Sequence, residues 1–167
     1  MPYNIAGIDV HKKMLAVVIA DRDAPKWSFE EWRFGTTTTE LRSLAAWLQQ
    51  HGVQAAVMES TAQYWKPVWR ELKAHFSLHL AQAQSNRAPH GRKSDMADSK
   101  RLVRRFVAGE LFLSFVPEAE QQGWRTLTRG KLQLTRDRAA TLAQVEALLE
   151  ETRIKLSSVV TDLWGAS

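Results

Sequence analysis

Four acidic residues stand where a chain can do phosphate chemistry: Asp9, Glu59, Asp95 and Asp98. Asp9 follows the apolar run Ile5-Ala6-Gly7-Ile8, and Glu59 follows Val53 and Ala55 to Met58. An acid directly after a buried strand costs desolvation unless a cation pairs with it. Asp95 and Asp98 lie three residues apart, an offset that shares one face of a helix. A dense positive stretch surrounds them: Arg87, Arg92, Lys93, Lys100, Arg101, Arg104 and Arg105. Brought together, the four carboxylates offer the oxygen ligands that Mg²⁺ or Mn²⁺ takes, with water and substrate phosphate completing the shell. Two such ions about 3.5–4 Å apart would clamp the attacking and leaving oxygens of a phosphoryl transfer. Each acid also has a plain reading. Acids at strand ends are commonly solvated, and the two aspartates suit the positive end of a helix for about 0.3–1 kcal/mol each. The case for chemistry rests on the set, because all four fall at compatible ends of their elements.

Those elements follow from periodicity. Asn4 to Val10 and Met14 to Ala20 read as strands joined by a tight turn at His11-Lys12-Lys13. Trp27, Phe29, Trp32 and Phe34 suggest a third strand with a bulge. Thr36 to Thr39 supply N-caps for a helix carrying Leu41, Leu44, Ala45 and Leu48, which Gly52 ends. Val53 to Met58 is a fourth strand, Gln63 to Ala74 a helix and Ser77 to Ala81 a fifth strand. The polar stretch Gln82 to Arg92 reads as a loop. Ser94 caps a helix running to about Glu110 or Leu113. Strands alternating with helices in the second half point to parallel pairing there, hence a mixed sheet flanked by helices. After Pro117 the apolar stripe Leu127, Leu134, Leu142, Val145, Leu149, Leu156 and Leu163 predicts either one long helix or two, the two forming a helical hairpin broken near Gly130. The sevenfold spacings permit a coiled coil, and packing back on the parent domain is the competing reading.

The chain has 167 residues, 44 % of them hydrophobic, and a net charge of +5, which favours polyanionic partners. It has no cysteine, so disulfides and thiolate-bound zinc are excluded. No apolar run reaches the roughly 18–20 residues of a membrane span, and MPYNIAGIDV lacks the pattern of a signal peptide. A cytoplasmic location, with no membrane partner, is expected.

The blocks GIDVHKK (Gly7 to Lys13), MESTAQYWKP (Met58 to Pro67) and GRKSDMADSKRL (Gly91 to Leu102) resemble the signature blocks of the DEDD transposases of bacterial insertion sequences. These are the bridge-RNA-guided recombinases, related to the pilin-gene DNA invertase. The resemblance spans about residues 4–165. It implies an α/β, ribonuclease H-like (RuvC-like) domain over 1–115, with a mixed five-stranded sheet and a metal-binding tetrad at Asp9, Glu59, Asp95 and Asp98. It implies that the long helices of 116–167 serve dimerisation and RNA contact. It also implies a C-terminal serine domain for strand exchange. The chain stops about where that domain would begin, so a natural truncation or expressed fragment, inactive alone, is expected.

The basic residues fit this picture as holders of phosphate backbone rather than readers of bases. Lys12, Arg92, Lys93, Lys100 and Arg104 are the candidates beside the acids; Arg125, Arg129, Lys131 and Arg136 are those on the long helix. Arg101 and Arg105 suit a solvated helix face equally well. His11, just past Asp9, is a candidate phosphate contact. The expected function is metal-dependent phosphoryl transfer on DNA within an RNA-guided transposition complex, the partners being DNA, a structured guide RNA and a second copy of the chain or a higher homo-oligomer. The alternative is a fragment that binds structured RNA or DNA and dimerises without doing chemistry.

Overall fold

The computed structural model describes residues 3–60, 62–86, 94–155, 158 and 160. Three strands open the chain: β1 (Asn4–Val10), β2 (Met14–Asp21) and β3 (Glu30–Gly35). They pair antiparallel in succession. Helix α1 (Thr38–Gln50) leads to β4 (Val53–Glu59), and α2 (Trp65–Leu72) leads to β5 (Ser77–Ala81). Both β4 and β5 join the sheet in parallel, β4 beside β1. A 3₁₀ turn (Ala83–Asn86) precedes α3 (Asp95–Val107). A two-residue β6 (Leu113–Ser114) then pairs antiparallel with β5. Among the described residues the sheet therefore has six strands, in the order β3-β2-β1-β4-β5-β6. An antiparallel meander continued by parallel strands on the far side of β1 is the ribonuclease H-like arrangement.

The alternation of side chains along each strand sorts the sheet into two faces. Ala6, Ile8 and Val10 of β1 pack with Leu41, Leu44 and Leu48 of α1 and with Val68 and Leu72 of α2. Ile5 turns the other way and packs with Val103 of α3. By the same alternation Gly7 and Asp9 face α3. In β4, Met58 belongs to the α1 side and Val57 to the α3 side, with Leu102. Glu59, two residues beyond Val57, therefore also faces α3. The register pairs Ile8 with Met58, so the acids that follow them lie at the ends of neighbouring parallel strands on one face.

Gly7 sets how closely α3 lies on the sheet. A Cβ there would stand 2.5 Å from the Ser99 carbonyl oxygen and 2.6 Å from Val103 Cγ2. The Ser99 hydroxyl donates to the Ala16 carbonyl oxygen at 2.9 Å, tying the same turn of α3 to β2.

Three expectations need correction. The sheet has a sixth strand, because the helix expected to reach Glu110 or Leu113 stops at Val107. Gly109 then takes φ 71°, a helix-ending conformation, and frees Leu113 and Ser114 to pair. The third strand begins at Glu30; Trp27 lies before it and stacks on Phe29, ring centroids 5.7 Å apart. The region after Pro117 contains no break at Gly130: α4 (Ala119–Glu151) is one helix of 33 residues. Leu156 and Leu163 fall outside the described residues. Backbone contacts divide the chain into two units, Met1–Val116 and Pro117–Ser167. Among the described residues no helix is long and apolar enough to cross a membrane.

Replacing Gly7 with alanine should lower the stability of the sheet unit by at least about 1–3 kcal/mol, the cost of overpacking a filled core. Denaturant unfolding checks this, and a wild-type midpoint in Gly7→Ala would contradict the close approach.

Candidate metal centre

Three elements deliver the acids. Asp9 is the next-to-last residue of β1, Glu59 the last of β4, and Asp95 and Asp98 occupy the first turn of α3. Ser94 caps that helix in an extended conformation, its hydroxyl oxygen accepting from the Ala97 amide. The cap fixes where the helix begins, and so where both aspartates point. Asp9 and Asp98 are buried, while Glu59 and Asp95 are half-buried.

Asp9 and Asp95 meet through a residue whose role the sequence left open. His11 Nε2 lies 3.1 Å from Asp9 Oδ2 and 3.3 Å from Asp95 Oδ1. Among the described residues, Asp9, His11 and Asp95 form the group whose donor atoms all lie within 4.8 Å of one another. The signal for His11 was its position: two residues past an acid on extended backbone, it shares that acid's face.

Glu59 and Asp98 are each held by a neighbour. Asn86 Nδ2 donates to Glu59 Oε2 at 2.9 Å, and Arg101 donates to Asp98 Oδ1 at 2.7 Å. Arg101 Nε also donates to the Asn86 carbonyl oxygen, and Arg105 donates to that of Ser85. These two arginines thus bind the 3₁₀ turn to α3 rather than lying in solvent. Asn86 is buried, and its Oδ1 has no hydrogen-bond partner among the described residues.

Burial pushes the Asp9 carboxyl above its ordinary value of 3.8; His11 pulls it down, and the charges of Glu59 and Asp98 push it up. All four groups therefore share one electrostatic neighbourhood. The donors are carboxylates and one imidazole around a buried, destabilised anion. That set fits a hard or borderline divalent cation, which would remove the repulsion that raises Asp9.

The basic residues divide. Lys12 is exposed in the β1–β2 turn, beside His11. Lys100 pairs with Glu31 at 2.5 Å, and both Lys100 and Arg104 sit over the Phe29 ring, 5.6 and 5.2 Å from its centroid. Arg92 and Lys93 lie outside the described residues. Because α4 is continuous, its 100° step per residue places Arg125, Arg129 and Arg136 within roughly 40° of one another, on the side away from Leu127 and Leu134. Lys131 falls beside the leucines.

In the folded, chelator-treated protein Asp9 holds its proton to a higher pH than in the unfolded chain. Stability is therefore lost as pH rises from 3.8 through the raised folded value. Asp9→Asn removes that loss. Its melting temperature should exceed that of the wild type at pH 7 in EDTA, and the gain should vanish below about pH 4, where both are neutral. A melting temperature lowered by the substitution at pH 7 would contradict this.

The chain is similar to solved structures of two resolvases. The Thermus thermophilus RuvC structure with a Holliday junction substrate is 11 % identical, with a TM-score of 0.46, covering 67 % of this chain and 99 % of that one. The fowlpox virus Holliday junction resolvase is 12 % identical, with a TM-score of 0.49, covering 64 % and 98 %. No curated protein matches the chain. The match that decides is to a family model described as Transposase, the DEDD type of IS110 elements, over residues 6–154. With that match spanning most of its length, the chain belongs to the DEDD transposase family.

Proposed function

We propose that this chain is the metal-dependent phosphoryl-transfer part of a DNA transposase, working on DNA strands within an RNA-guided transposition complex. The observation that supports it most is the gathering of acids from β1, β4 and α3 on one face of the sheet, around a carboxyl whose charge is costly without a cation. A divalent cation bound there supplies Lewis acidity at a phosphodiester oxygen and a more acidic bound water. The chain's own residues do the rest. Asp9 and Asp95 offer oxygens toward the cation. Asn86 and Arg101 keep Glu59 and Asp98 oriented. Lys12, in the adjoining turn, and Arg92 and Lys93, just before α3 in sequence, are the candidates to hold the DNA backbone. On α4 the ridge of Arg125, Arg129 and Arg136, with Lys131, is the candidate surface for structured guide RNA. The exposed Leu127 and Leu134 form the candidate seam for a second copy of the chain.

The test is Mg²⁺- or Mn²⁺-dependent cleavage of recombination-site DNA by the assembled transposition complex, carrying either the wild-type residue or Asp9→Asn. The variant should cleave at least about a hundredfold more slowly, since loss of a ligand exceeds the 10–100-fold cost of losing its supporting partners. Its undiminished stability separates lost chemistry from lost fold. Cleavage by Asp9→Asn at the wild-type rate would refute the reading.

A further inference from the structure

His11 stands between two carboxylates from different elements, Asp9 on β1 and Asp95 on α3. Its main chain is fixed, the His11 amide donating to the Met14 carbonyl oxygen at 3.0 Å across the β1–β2 turn. The ring is partly exposed, so burial alone does not explain its position. Hydrogen bonding explains half of it. A single N–H serves one acceptor well, and a second at similar distance takes a poorer share. Coordination accounts for both distances. Bonds of about 2.0–2.1 Å place neighbouring ligands of a six-coordinate cation about 3 Å apart. The 3.1 and 3.3 Å separations from Nε2 have that size.

We propose that His11 Nε2 ligates the same divalent cation as Asp9 and Asp95, and that this nitrogen makes the site prefer Mn²⁺ to Mg²⁺. The inference rests on the metal-centre reading above and adds a ligand to it. Mg²⁺ takes oxygen and gives up water reluctantly, so an imidazole contributes little to holding it. First-row transition ions accept imidazole and bind mixed nitrogen and oxygen sites more tightly. An all-carboxylate centre would favour Mn²⁺ over Mg²⁺ less strongly. The competing role for His11 is a placeholder: a cationic ring that neutralises Asp9 and Asp95 and leaves when a metal arrives. The two roles predict opposite signs. Removing a ligand weakens binding, whereas removing a placeholder strengthens it.

The experiment titrates Mn²⁺ alone into the whole chain, without nucleic acid, following free Mn²⁺ by electron paramagnetic resonance. Pulsed measurements on the bound ion then look for ¹⁴N coupling from imidazole. Wild type, His11→Ala and Asp9→Asn are compared, with Mg²⁺ as competitor. The expected result is ¹⁴N coupling in the wild type that is absent in His11→Ala. The same variant should bind Mn²⁺ at least about tenfold more weakly, with a much smaller change for Mg²⁺. Mn²⁺ binding that depends on Asp9 but shows no ¹⁴N coupling, or is as tight or tighter in His11→Ala, overturns the ligand role and leaves the metal centre standing. Absence of any Asp9-dependent Mn²⁺ binding overturns both.

Discussion

The contact between α3 and β1 at Gly7 is the constraint on which the centre depends. A helix normally stands off a sheet by the length of two side chains. Here one of them is a hydrogen atom, and the Ser99 carbonyl occupies the space that a methyl would need. Ser99 spends its hydroxyl on the Ala16 carbonyl, so the helix is held laterally as well. One turn back along α3 is Asp95, and two residues on along β1 is Asp9. Their approach to a single imidazole follows from this seating. A core built for close packing thus sets the separation of groups that repel one another, and the stability to tolerate the repulsion comes from the apolar layers on both faces of the sheet.

That repulsion explains the opposite charges crowded into α3. The two acids stand in the helix's first turn, where its dipole favours them. The cations that follow do separate jobs. Arg101 and Arg105 reach back to the backbone of the 3₁₀ turn, and Arg101 also neutralises Asp98. Lys100 and Arg104 turn to the opposite side and cover Phe29. The basic run is therefore partly scaffold. Among the described residues, fewer of its cations are left for an outside partner than its charge suggests.

Much of this was legible in the sequence. Strand β1 and strand β4 were visible as apolar runs, and their acids as interruptions in those runs. Ser94 marked the start of α3 because a capping hydroxyl has few other uses before an acidic turn. What stayed hidden depended on partners distant in sequence. Strand β6 has two residues, too few to show a period, and exists because β5 offers an edge. The inward turn of Arg101 and Arg105 depends on carbonyls of residues 85 and 86, which no side-chain pattern reveals. Gly130 suggested a break in the long helix. The chain passes through it unbroken, because one glycine costs only about 1 kcal/mol against 33 residues of continuous hydrogen bonding.

The central claim is that the acids of β1, β4 and α3 form a single divalent-cation centre on one face of the sheet. Diffraction from crystals grown with Mn²⁺, collected for its anomalous signal, tests this most directly. The account predicts an anomalous peak within bonding distance of both Asp9 and Asp95, in the space that Glu59 and Asp98 border. Well-ordered carboxylates with no peak between them, or Mn²⁺ bound only elsewhere on the surface, would contradict it.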